Sequence, residues 1–241
     1  MKTLTRLLLA VLIALLPLSA AAADDAQEKA TNATTTTPAS PVYKPPLRGA
    51  PAGRIGGGTR GATDRESFAL MVLAPDHVGY TTQEQPCLYW YISKPTNYSI
   101  ELTVTEKKAV KPLVEKLLKG PEKGGVQAVC LAQYDVSLQP NIPYKWYVTL
   151  VTDAAQRSKD IMAGGIIEKI EAQETVTSRL KSAEGINAPS IYAEEGLWYD
   201  AVGAISKMIE ASPKDANLRE QRTSLLKQVG LTEVADADEI K

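Results

Sequence analysis

Between Phe68 and Ile170 turn residues cut the chain into short apolar runs, and this texture limits the fold more than any other feature. FALMVLAP ends at Pro75, and CLYWYIS ends before Lys94-Pro95. YSIELTVTE alternates from Tyr98 to Glu106, with Ile100, Leu102 and Val104 on one face. A weaker run, KPLVEKLLKG, closes at Gly120-Pro121, and VQAVCLA, YKWYVTLV and IMAGGIIEKI follow. Seven strand candidates at short, regular spacing predict an all-β sandwich over residues 66–172, not alternating βα units.

Leu138, Pro140, Tyr144, Trp146 and Val148 spell L-x-P-x-x-x-Y-x-W-x-V. That pattern resembles the entry to strand F of immunoglobulin- and fibronectin-like sandwiches, where a tyrosine hydroxyl bonds back to the preceding loop. Tyr144 is the expected tyrosine corner, with Trp146 and Val148 on the core face. In such a strand order Cys87 and Cys130 fall on neighbouring strands. A disulfide between them is one expectation, and two separate half-buried thiols are the other.

After Glu171 the period changes. Leu197, Trp198, Ala201, Val202, Ile205, Met208 and Ile209 recur three or four residues apart, a helical stripe. Ser212-Pro213 stops it, Asp215 is placed to cap the next helix, and Leu218, Leu225, Leu226 and Val229 form a second stripe closed by Gly230. GLWYDAVGAISKMIEASPKDANL resembles the second helix of a tetratricopeptide repeat, and Gly196 and Gly230 lie one such period apart. Residues 173–241 are therefore expected to form a tetratricopeptide-like helical hairpin packed on the sandwich or on a partner. The expected fold class is mainly β with α.

Lys2 and Arg6 precede the apolar run Leu7–Leu18, and SAAAAD supplies small residues for cleavage after Ala22 or Ala23. Twelve apolar residues are too few to span a bilayer as a helix. Residues 1–23 thus read as a signal peptide, with a mature protein in the periplasm or secreted and no stable membrane insertion. Residues 24–43, rich in Thr and Ala, are expected to be a disordered linker. Residues 44–65 form a Gly/Arg-rich segment carrying Arg48, Arg54 and Arg60. It lacks the lysine, the preceding strand and the following helix of a phosphate loop. It is expected to be an extended arm on the fold, its glycines allowing close backbone approach and its arginines bonding carbonyls or acids.

The net charge of −1 points to no nucleic-acid or membrane partner. The chain has one histidine, His77, and lacks G-x-S-x-G, H-E-x-x-H and C-x-x-C patterns, so no catalytic residues, metal ligands or cofactor are expected. Aromatics cluster at Tyr89 to Tyr91, Tyr144 to Tyr147 and Trp198-Tyr199. Only one of each adjacent pair on a strand can face the core, so the others are either exposed or covered by the helical tail. If exposed, Tyr89, Tyr91, Tyr147 and Trp198 form a recognition face for peptide or glycan, and Arg48, Arg54 and Arg60 one for polyanions.

GAPAGRIGGGTRG, LAPDHVGYTTQEQPCLYWYIS, LQPNIPYKWYVTLV with Arg157-Ser158, and YAEEGLWYDAV together resemble a bacterial family, frequent in cyanobacteria, catalogued as domain of unknown function 928. The similarity runs from about Lys44 to Leu231. It implies export and the order of arm, β region and helical tail, with no assigned activity. The function expected is that of a non-enzymatic envelope protein making contact with an unknown envelope protein. The alternative is a carbohydrate- or polyanion-binding protein.

Overall fold

A computed structural model of the chain describes residues 40–46, 53–58, 68–106, 109–183 and 185–239. The expected signal peptide, the linker to residue 39, and Arg48 and Arg60 lie outside the described residues. The strands are β1 Gly57–Gly58, β2 Ala69–Val72, β3 Gly79–Thr81, β4 Cys87–Ile92, β5 Ser99–Glu106, β6 Val114–Leu118, β7 Gly125–Cys130, β8 Pro143–Val151 and β9 Ile161–Lys169. The seven apolar runs correspond to β2 and β4 to β9. β1 and β3, of two and three residues, are too short to show a period.

The strands form two sheets, ordered β1-β2-β4-β7 and β3-β9-β8-β5-β6. β3 runs parallel to β9, and the other pairings are antiparallel. Along β5, burial alternates as the sequence does, with Ile100, Leu102 and Val104 inside. One core cluster joins them to Leu70, Val72, Leu88, Trp90 and Ile92 of the other sheet and to Tyr144, Trp146, Val148 and Leu150 of β8.

β4 breaks the alternation, since every residue after Cys87 is buried. The cause is the helical layer, α1 Glu174–Ser182, α2 Ala188–Glu194, α3 Trp198–Ala211, α4 Ala216–Gln228 and α5 Thr232–Glu239. α3 packs on β3 and β4, and α5 approaches β7. A strand covered on both faces favours an unbroken apolar run, and CLYWYI is one. The helices therefore pack against strands of both sheets.

The expected two-helix hairpin is corrected to five helices among the described residues. The two apolar stripes are α3 and α4, whereas the shorter α1, α2 and α5 carry too few turns to give one. α3 ends at Ala211, and the Asp215 carboxylate accepts from the Asn217 and Leu218 N–H groups at 3.0 and 3.4 Å, capping α4. Arg222 of α4 donates through Nε and Nη2 to both oxygens of Asp238 in α5 at 2.7 and 2.6 Å. Its Nη1 donates to Ser206 of α3 at 3.1 Å. This buried, bidentate pair ties three helices together.

Candidate functional site

Successive residues of a helix point about 100° apart, so three in a row can reach three different neighbours. Trp198, Tyr199 and Asp200 use the first turn of α3 in this way. Trp198 donates from Nε1 to the Leu73 carbonyl at 2.8 Å. The Tyr199 hydroxyl accepts from Trp146 Nε1 at 2.9 Å and donates to the Ile166 carbonyl at 3.0 Å. Asp200 Oδ1 accepts from Thr81 Oγ1 and Gln83 Nε2, each at 2.9 Å. Its Oδ2 accepts from the Thr82 N–H at 2.7 Å and the Thr82 hydroxyl at 3.1 Å. All three side chains are buried. Burial pushes the Asp200 carboxyl above its ordinary value, against the pull of these donors. Gly79 leaves room here, since a Cβ on it would lie 2.6 Å from the Tyr199 ring.

The arm closes on this junction from outside. The Tyr43 N–H donates to Gln228 Oε1 at 2.8 Å, and Gln228 Nε2 donates to the Pro41 carbonyl at 2.9 Å. The Lys44 N–H donates to the Ala193 carbonyl at 3.0 Å. The Tyr43 ring meets Trp198 edge-on, with centroids 4.9 Å apart, and stacks on His77 at 5.9 Å. Tyr43 is buried, so the ordered arm begins earlier than the expected boundary at residue 44. Arg54 is its second anchor. Nη1 donates to the carbonyls of Ala74 and Val229 at 2.9 and 3.0 Å, Nη2 to that of Gly230 at 3.4 Å, and the backbone N–H to Asp76 at 2.9 Å. One guanidinium thus joins a sheet loop to the α4–α5 turn. Ile55 exchanges backbone hydrogen bonds with Gly164 of β9 at 2.9 and 2.8 Å, and β1 then pairs with β2. The arm therefore bridges the two sheets.

Of the two outcomes expected for the aromatics, exposure or cover by the helical tail, the structure shows burial for Tyr89, Tyr91 and Trp198, because the helices cover the outer face of β4. Tyr147 is half-buried, its ring lying where a Cβ on Gly164 would have to be. Arg54 is engaged by the carbonyls of Ala74, Val229 and Gly230 through Nη1 and Nη2. Tyr89 lines a cleft of about 280 Å³ with Gln127, Ser206, Glu210, Arg219 and Arg222. Burial, with Glu210 nearby, pushes its phenol up to about 12. Cys87 and Cys130 oppose each other in the β4–β7 register, and their sulfurs are bonded. The Tyr144 hydroxyl accepts from the Gln139 N–H at 3.2 Å, a bond back into the loop before β8. Among the described residues, no three His, Cys, Asp or Glu side chains are grouped to hold a metal ion, and no helix is long and apolar enough to cross a membrane.

Sequence reasoning did not single out Asp200, and it read β6 only as a weak strand, with no functional role. A carboxylate interrupting the apolar stripe W-Y-D-A-V and the donor run Thr81-Thr82-Gln83 were the available signals for the first. β6 is the edge of the five-stranded sheet, hydrogen-bonded to β5 on one side. Leu117 is 66% exposed there, and Leu113 at its approach is 43% exposed. Strand backbone with no second strand beside it among the described residues, next to exposed leucine, is a template for adding another strand. Among curated proteins none matches this chain. A family model described as Domain of Unknown Function (DUF928) matches residues 55–239, spanning both sheets and all five helices, and the chain belongs to that family.

Proposed function

We propose that this chain is an exported, non-enzymatic protein of the bacterial envelope that serves as a protein–protein interaction or assembly module. The exposed edge β6 carries the reading, because strand addition gives affinity through main-chain hydrogen bonds and needs no catalytic constellation. The apolar run at Leu7–Leu18 and the Cys87–Cys130 bond both accord with export.

The architecture is read as an immunoglobulin-like sandwich with tetratricopeptide-like helices. The order β2-β4-β7 beside β9-β8-β5-β6 supports the first part, matching strands A-B-E beside G-F-C-C′. The turns at Gly196 and Gly230, both with φ of +73°, support the second by separating α2 from α3 and α4 from α5 at equivalent points.

A photo-crosslinking residue in place of Leu117, in cells making the protein, tests the interaction reading. Protein adducts from position 117, and none from a matched probe at exposed Lys159, are expected. No adduct from position 117 sinks the proposal.

A further inference from the structure

We propose that β6 pairs edge to edge with β6 of a second copy of this chain, antiparallel, with Leu117 on the two-fold axis. This rests on the reading of β6 as an interaction edge and names its occupant. In a continuous antiparallel sheet opposed residues share a face, so a symmetric pair must be centred on a residue and not between two. The choice of centre is then a question of charge.

Centring on Glu115 opposes Glu115 to its own copy, and centring on Lys116 does the same to Lys116; like charges directly opposite are destabilising. Centring on Val114 opposes Lys116 to Pro112, and centring on Leu118 opposes Glu115 to Pro121, each bringing a proline into the short pairing. Centring on Leu117 opposes leucine to leucine, and Glu115 to the second copy's Lys119 on both sides of the axis. Lys119 bonds Glu122 in a pair whose side chains are about four-fifths exposed, so it exchanges partners readily. Leu117 also continues a cross-strand row through Glu101 and Thr149 to Met162, so the row would run on across the axis.

A five-residue strand pair is small beside the roughly 1,200 Å² of a stable dimer, so the association is weak and reversible. Sedimentation of the purified mature chain between about 10 μM and about 1 mM, a range chosen for such weak affinities, reads it directly. A dimer fraction rising with concentration is expected. Glu115→Lys and Lys119→Glu should each weaken it at least roughly tenfold, and the double exchange should restore it. Leu117→Cys should cross-link to its own copy faster than Glu115→Cys. These side chains are exposed, and thermal melts of the variants show whether folding is intact. A monomer throughout, or a dimer indifferent to both charge reversals, overturns the proposal. If the purified chain stays monomeric while the cellular probe at position 117 captures a different protein, self-pairing falls and the interaction reading stands. If neither forms, both fall.

Discussion

Asp200 receives hydrogen bonds from three residues that lie 117 to 119 positions earlier in the chain. Asp200→Asn would keep the shape but turn one acceptor oxygen into a donor facing Thr81 and Gln83, or facing Thr82. Leaving a buried donor unmatched costs about 1–3 kcal/mol, which urea denaturation should read as a lower midpoint with an unchanged slope. An unchanged midpoint would mean the node contributes nothing to stability. Tyr89 gives a second residue-scale outcome. Its phenol is raised from 10.0 to about 12 in the folded chain. Between those values the folded protein holds a proton that the unfolded chain releases. Its contribution is therefore fully present below about pH 10 and is lost as pH rises toward about 12. Tyr89→Phe should flatten this alkaline fall, measured by denaturation at stepped pH.

At the scale of elements, the arm was legible in kind and not in its contacts. Glycines and arginines without a strand or helix around them implied close backbone approach, and Arg54 makes the carbonyl bonds that its fork permits. Nothing local could say that those carbonyls belong to Ala74 and Val229. The strands show the same division. The alternation of SIELTVTE reports one wet face, a local property, whereas the continuous burial of CLYWYI depends on helices more than a hundred residues later. Asp215 and Gly230 were readable because caps are chosen by adjacent backbone, while Arg222–Asp238 joins two helices with no fixed spacing to announce it. Arg54→Gln should loosen the arm without touching the core. Chymotrypsin cleavage after Tyr43 in the native protein should quicken, since the Tyr43 and Lys44 N–H groups are held by Gln228 and Ala193 only while the arm lies down. An unchanged cleavage rate would show that Tyr43 and Gln228 hold the arm alone.

At the scale of the molecule, the helices and sheets share one interior, which bears on the expected division at residue 172. Trp198, Tyr199 and Asp200 are helical residues whose partners lie in sheet strands and loops. Tyr89 and Tyr91 are strand residues whose cover is helical. Burying an aromatic side chain contributes about 1.5–3 kcal/mol, so uncovering these two alone would remove a large part of a marginal total. The 43-residue loop closed by Cys87–Cys130 lies wholly within the sheets and would survive such a cut. In the chain-entropy description it offsets about 4 kcal/mol, enough to keep a truncated chain compact without restoring the missing cover. A chain ending at residue 172 should therefore be oxidised yet loosely packed. Strong binding of an apolar dye, weak near-ultraviolet dichroism and a broad thermal transition are expected, against a single sharp transition for the full chain. A truncated chain that melts cooperatively near the full chain's temperature would overturn this, making the helices an accessory to the two sheets and not part of their core.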